Sequence, residues 1–179
     1  MDNYINTIRV WIQSYVIKLN LCPFASYAFD LDKIHYQSEL SQNQTDQLSA
    51  LWKCIEILNK SDQKTSGILI IPNGLEKLDD YLDLYDKANW LLEDTKLDQK
   101  YQLASFHPNY LFENEAPDDI SHYTNRSPYP IIHILSVSEV AQAIESHGHT
   151  EDIPSNNIQM LKSIGLKKIK DIITATKDS

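Results

Sequence analysis

The run GILII, residues 67–71, limits the fold more than any other stretch of this chain. A strand with one wet face alternates apolar and polar side chains, so a continuous apolar run indicates a strand covered on both faces. Such a strand needs layers above and below it, which amphipathic helices must supply. Three helical stripes fit. Ile5, Ile8, Ile12, Tyr15, Val16 and Leu19 form the first, and Pro23 ends it. Leu48, Leu51, Trp52, Ile55 and Leu58 form the second, with Thr45 as its cap. Leu78, Tyr81, Tyr85, Ala88 and Leu92 form the third, after a capping-box pattern of Asn73 and Glu76.

Three more strands are expected, at KIHYQS (33–38), YQLASFH (101–107) and PIIHILS (130–136). Helices separate the first three strands, which predicts parallel neighbours. No helix separates the third from the fourth, which predicts an antiparallel pair there. Ser136 and Glu139 open a further helix on Val140, Ala141 and Ile144 that Gly148 closes, and the tail from Ser155 to about Thr176 reads as two helices broken at Gly165. The expected fold is α/β, an α+β-like mixed sheet of about four strands, three parallel and one antiparallel, with helices packed on it. No repeat or linker interrupts residues 1–179, so a single globular domain is expected.

Charge narrows the function classes. Sixteen Lys and Arg against 25 Asp and Glu give a formal net charge of −9. That balance opposes non-specific nucleic-acid binding and attachment to an anionic membrane surface. Arg9, Gln13 and Lys18 interrupt the apolar amino-terminal stretch, and no run reaches about 18 apolar residues. Cys22 and Cys54 form no CxxC pair, so reduced thiols in a cytoplasm are expected. With only four glycines, the chain shows no P-loop or dinucleotide signature, and there is no serine elbow. It singles out no cofactor and no oligomeric state.

The candidate site lies in SFHPNY (105–110) and NRSPYPIIHIL (125–135), which carry one of only two arginines. Ligands in open α/β sheets sit outside the carboxyl ends of parallel strands. If the fourth strand runs antiparallel to the third, Asn125, Arg126 and Ser127 begin it beside His107 and Asn109. Arg126 with Asn125 and Ser127 would then suit a carboxylate or phosphate. Alternatively Arg126 pins its own loop by bridging one of Glu113, Glu115, Asp118 or Asp119. His107 is the candidate general acid or base near neutral pH. Cys22 is either a nucleophile that His107 activates or a small packing residue.

Cys22, His107 and His133 also make a weak zinc alternative, since their separations match no compact ligand pattern. His133 otherwise reads as a core histidine. HGHT (147–150) reads as a turn, and His35 and His122 have no evident partner.

Three segments together resemble a bacterial family known as domain of unknown function 1415: LNLCPFA (19–25), SFHPNY with YTNRSPYPIIHIL (105–110 and 123–135), and EDIPSNNIQMLKSIG (151–165). The matching positions are Cys22, Pro23, His107, Pro108, Asn125, Arg126, Ser127, Pro128, Pro130, His133 and Asn157. The resemblance implies a bacterial protein and carries over no reaction. It also brings in Asn157, either as a polar group at the same site or as a group satisfying amides of its own helix. The expected function is an enzyme acting on a small anionic metabolite through Arg126, Asn125, Ser127, Asn109 and His107. The alternatives are a non-catalytic module binding a ligand or partner protein, and a scaffold in which Arg126 clamps a long loop.

Overall fold

The structure, a computed structural model, describes residues 2–147 and 150–178. Helix α1 (Asn3–Trp11) passes directly into a π-helical segment, Ile12–Ile17. The wider turn is visible in the bonds from Lys18 N–H to Gln13 C=O and from Leu21 N–H to Val16 C=O. One apolar stripe therefore spans two helical geometries. After α2 (Ala25–Asp30) come β1 (Ile34–Ser38), α3 (Gln44–Lys60), β2 (Ser66–Ile70), α4 (Leu78–Asp94) and β3 (Tyr101–Phe106). A 3-10 turn (Ile120–Thr124) leads to β4 (Ile131–Ser136), α5 (Val137–His147), α6 (Ile153–Ile164) and α7 (Leu166–Ala175). Gly165 separates the last two helices, as expected.

Local chemistry explains most boundaries. Asn43, rather than Thr45, caps α3, its side chain accepting the Thr45 N–H at 2.7 Å. The Asn73/Glu76 capping box does not form. Glu76 accepts the Gly74 N–H at 3.1 Å, Asn73 donates to the Leu40 carbonyl at 3.0 Å, and α4 starts at Leu78. Gly148, expected to close α5, and His149 of HGHT lie outside the described residues.

The strand order is β1-β2-β4-β3. The expected ladder of three parallel strands is corrected: β1 and β2 are the one parallel pair, and β4 inserts between β2 and β3, antiparallel to both. PIIHILS explains the insertion, because a strand of this apolarity is satisfied only between two neighbours and under cover on both faces. Helices α3 and α4 cover one face, burying Leu51, Ile55, Tyr81 and Leu84 against Leu69, Ile132 and Ile134. On the other, α1, the π-helical segment, α6 and α7 bury Ile8, Trp11, Tyr15, Leu161 and Ile169 against Ile34, Ile68, Ile70 and Ile131. Helices on both faces make this a mixed α/β fold with an open four-stranded sheet.

Because β2 and β3 are each antiparallel to β4, their carboxyl ends meet the amino end of β4 at one sheet edge. Gly74 holds the turn there. Its φ of +80° disfavours any side chain, and an added Cβ would come 2.9 Å from Gln42 Cα. Gly74→Ala is expected to cost about 2 kcal/mol of stability through backbone strain alone, read from the midpoint of urea unfolding.

Candidate functional site

The two motif patches do meet. The His107 N–H donates to the Asn125 carbonyl at 3.2 Å, and Asn125 Nδ2 donates to the Ser105 carbonyl at 3.1 Å. Asn125 Oδ1 accepts the Thr124 hydroxyl at 2.9 Å. Asn125 thus staples the long connection to the end of β3.

His107 is fully buried, and both ring nitrogens are committed. Its Nε2–H donates to the Leu75 carbonyl at 2.8 Å, and Nδ1 accepts the Asn109 N–H at 3.0 Å. The ring lies against Tyr81, with centroids 5.2 Å apart. Burial pushes its pKa below the ordinary histidine value, partly opposed by the Leu75 bond. In this arrangement His107 acts as a strut, since neither ring nitrogen is open to meet a substrate proton. The segment before α4 offers His107 the Leu75 carbonyl.

Ser127 is also buried and donates to the Tyr129 carbonyl at 2.6 Å, which withdraws it from ligand binding. Asn109 is exposed, and its amide leans toward the Glu76 carbonyl at 3.4 Å. Arg126 bridges none of the acids of its loop: among the described residues, no carboxylate lies in ion-pair range of it. Its Nε donates to the Tyr110 carbonyl at 3.1 Å, and its guanidinium sits 4.3 Å from the Tyr123 ring centroid. Arg126 therefore pins its loop by another route than the one expected.

A cavity of about 610 Å³ opens beside this edge, on the α1/α6 side. Its wall draws on all three distant motif segments, and Cys22, Asn125 and Asn157 are the matching positions that line it. Asn157, on α6, donates from Nδ2 to the Leu21 carbonyl at 2.7 Å, tying that helix to the turn that carries Cys22. The π-helical segment contributes Val16 to the wall, while its Tyr15 hydroxyl donates to the Tyr123 carbonyl at 2.8 Å. Cys22 is half-buried, and burial raises its thiol pKa against the opposing backbone N–H groups of Phe24 and Ala25. The thiol form is thereby favoured, which disfavours a nucleophilic role. His107, Arg126 and Ser127 do not line the cavity.

The zinc alternative is corrected as well. His107 packs with Tyr81 on the α3/α4 face of the sheet. His133 stands beside Ile68, on the opposite face. Cys22 belongs to the α6 side, so the three cannot share an ion. Among the described residues no group of three or more His, Cys, Asp or Glu is placed to hold a metal. No helix among them is long and apolar enough to cross a membrane.

His122, without an evident partner in the sequence, has two in the structure. It is fully buried; Nε2–H donates to the Ala116 carbonyl at 2.8 Å and Nδ1 accepts the Phe112 N–H at 3.0 Å. The rim segment that carries Glu113 and Glu115 is folded around it, with Phe112 stacked on the imidazole. No spacing rule signals this, because both partners are backbone groups of a loop.

The family model described as "Protein of unknown function (DUF1415)" matches residues 3–171. No curated protein and no solved structure matches the chain.

Proposed function

The chain belongs to this family of proteins of unknown function, and from that premise we propose that it binds a small organic molecule in the cavity between α6, the Cys22 turn and the end of β3. The observation that carries the reading is convergence. Cys22, Asn125 and Asn157 come from three segments far apart in sequence, and all three reach one wall. A space of about 610 Å³ falls within the range that holds drug-sized ligands, about 300–1,000 Å³. Phe106, Phe112 and Ile158 supply apolar surface, and the two amides supply fixed polar groups.

An enzyme acting on an anionic metabolite draws less support. Neither Arg126 nor His107 lines the cavity, and His107 has no free nitrogen. Binding is therefore the preferred function. The test is a ligand-observed NMR screen of a fragment library against the wild type and Ile158→Trp, which fills the cavity from α6. Binders of the wild type should be lost in the variant, whose circular-dichroism melt should match the wild type. Binders that the filled variant retains would refute the placement.

A further inference from the structure

We infer that the ligand of this cavity is an organic cation, an ammonium group on an apolar body. The inference rests on the cavity reading above and adds the ligand's charge. It comes from asking which polar atoms in the wall are already used.

Asn157 Nδ2 is spent on the Leu21 carbonyl, which can only accept, so the amide orientation is fixed and Oδ1 is the free atom. The Thr124 hydroxyl proton is spent on the Ser121 carbonyl and Asn125 Oδ1, leaving oxygen lone pairs. Ser121 is 6% exposed, and its buried Oγ has no hydrogen-bond partner. The nearby Asp119 carboxylate is held low by the Ser121 backbone N–H at 2.7 Å and, second, by the Ser121 hydroxyl, which turns its proton toward the carboxylate without full bonding geometry and leaves its lone pairs open. A buried hydroxyl left unmatched in a cavity wall calls for a polar atom from a ligand.

The charged groups point the same way. Glu113 and Glu115 stand in the wall, and no Lys, Arg or His does. A carboxylate or phosphate would enter beside two negative charges with no cation to compensate its desolvation. An ammonium brings three donors to a wall of acceptors: the two carboxylates, Asn157 Oδ1, Thr124 Oγ1 and Ser121 Oγ. Its apolar body would lie along Phe106, Phe112, Leu21 and Ile153. The net charge of −9 draws cations toward the protein from a distance. Phosphate or carboxylate recognition at this edge, suggested by Arg126, is thereby replaced.

The test uses three compounds with the same phenylethyl body on the full chain: 2-phenylethylamine, the carboxylate 3-phenylpropionate, and the alcohol 2-phenylethanol. Titration followed by NMR shifts should rank the amine first and the carboxylate at least about tenfold weaker. Glu113 and Glu115 are exposed, so the double variant Glu113→Gln/Glu115→Gln should fold. It should weaken the amine about tenfold, abolish most of its salt dependence and leave the alcohol unchanged. A carboxylate that binds as well as the amine, or a double variant that binds the amine normally, overturns the cation inference. The cavity reading would survive either result if Ile158→Trp abolishes binding. Failure of all three compounds to bind the wild type at millimolar concentration overturns both.

Discussion

His107→Ala is expected to lower the unfolding free energy by about 3–4 kcal/mol, as read by urea unfolding at pH 7.5. The imidazole is fully buried and joins Leu75, before α4, to the Asn109 turn after β3. Alanine strands the Leu75 carbonyl, and an unsatisfied buried acceptor costs about 1–3 kcal/mol. The Asn109 N–H adds less, because Asn109 is exposed and water can reach it. The space vacated against Tyr81 adds a cavity term. His107→Gln, which can still donate to Leu75, should recover part of the loss. A change below about 1 kcal/mol in the alanine variant would show that His107 is not the strut described above.

Acid should unfold the protein in a window set by histidines. Burial pushes His133 down to about 4, and its Nε2 is buried without a hydrogen-bond partner although the residue keeps some exposed surface. His107 and His35 are lowered as well, by burial first. For these groups the unfolded chain binds protons more readily than the folded one. Their contribution is therefore fully present above about pH 6.5 and is lost as pH falls toward 4. For His133 the gap from 6.5 to about 4 corresponds to about 3 kcal/mol by linkage. Asp32, Asp83 and Asp119 are held below their ordinary value by hydrogen bonds, so their contribution falls only at lower pH. Urea midpoints at pH 7.5, 5.5 and 4.5 should fall steadily. His133→Phe should flatten that slope; an unchanged slope would exclude His133 as its source.

Much of the fold was legible because it rests on local patterns. The strands at 33–38, 67–71, 101–107 and 130–136 all form within a residue of those limits, and both tail helices break at Gly165. The antiparallel third and fourth strands were legible too, since no helix separates them. The position of β4 was not. It depends on which neighbour completes the ladder of a doubly covered strand, and β2 and β3 compete for that from opposite sides. The π-helical segment was also hidden, because an apolar stripe does not distinguish the two helical turns over so short a stretch.

For the site, the sequence by itself determined that SFHPNY and NRSPYP share one edge. Strand order and residue type suffice for that, and Asn125 bonded to Ser105 and His107 is the result. Only the tertiary structure decided which side chains are spent. His107, His122 and Ser127 are reactive types that became fasteners, because backbone carbonyls took their hydrogen bonds: Leu75, far away in sequence, for His107, Ala116 of the same loop for His122, and Tyr129, two residues on, for Ser127. Cys22, Asn125 and Asn157 came to line one cavity, because α6 packs across the turn after the first helix. Cavity walls and bonds such as His107 to Leu75 or Asn157 to Leu21 depend on groups distant in sequence, and no spacing along the chain encodes them.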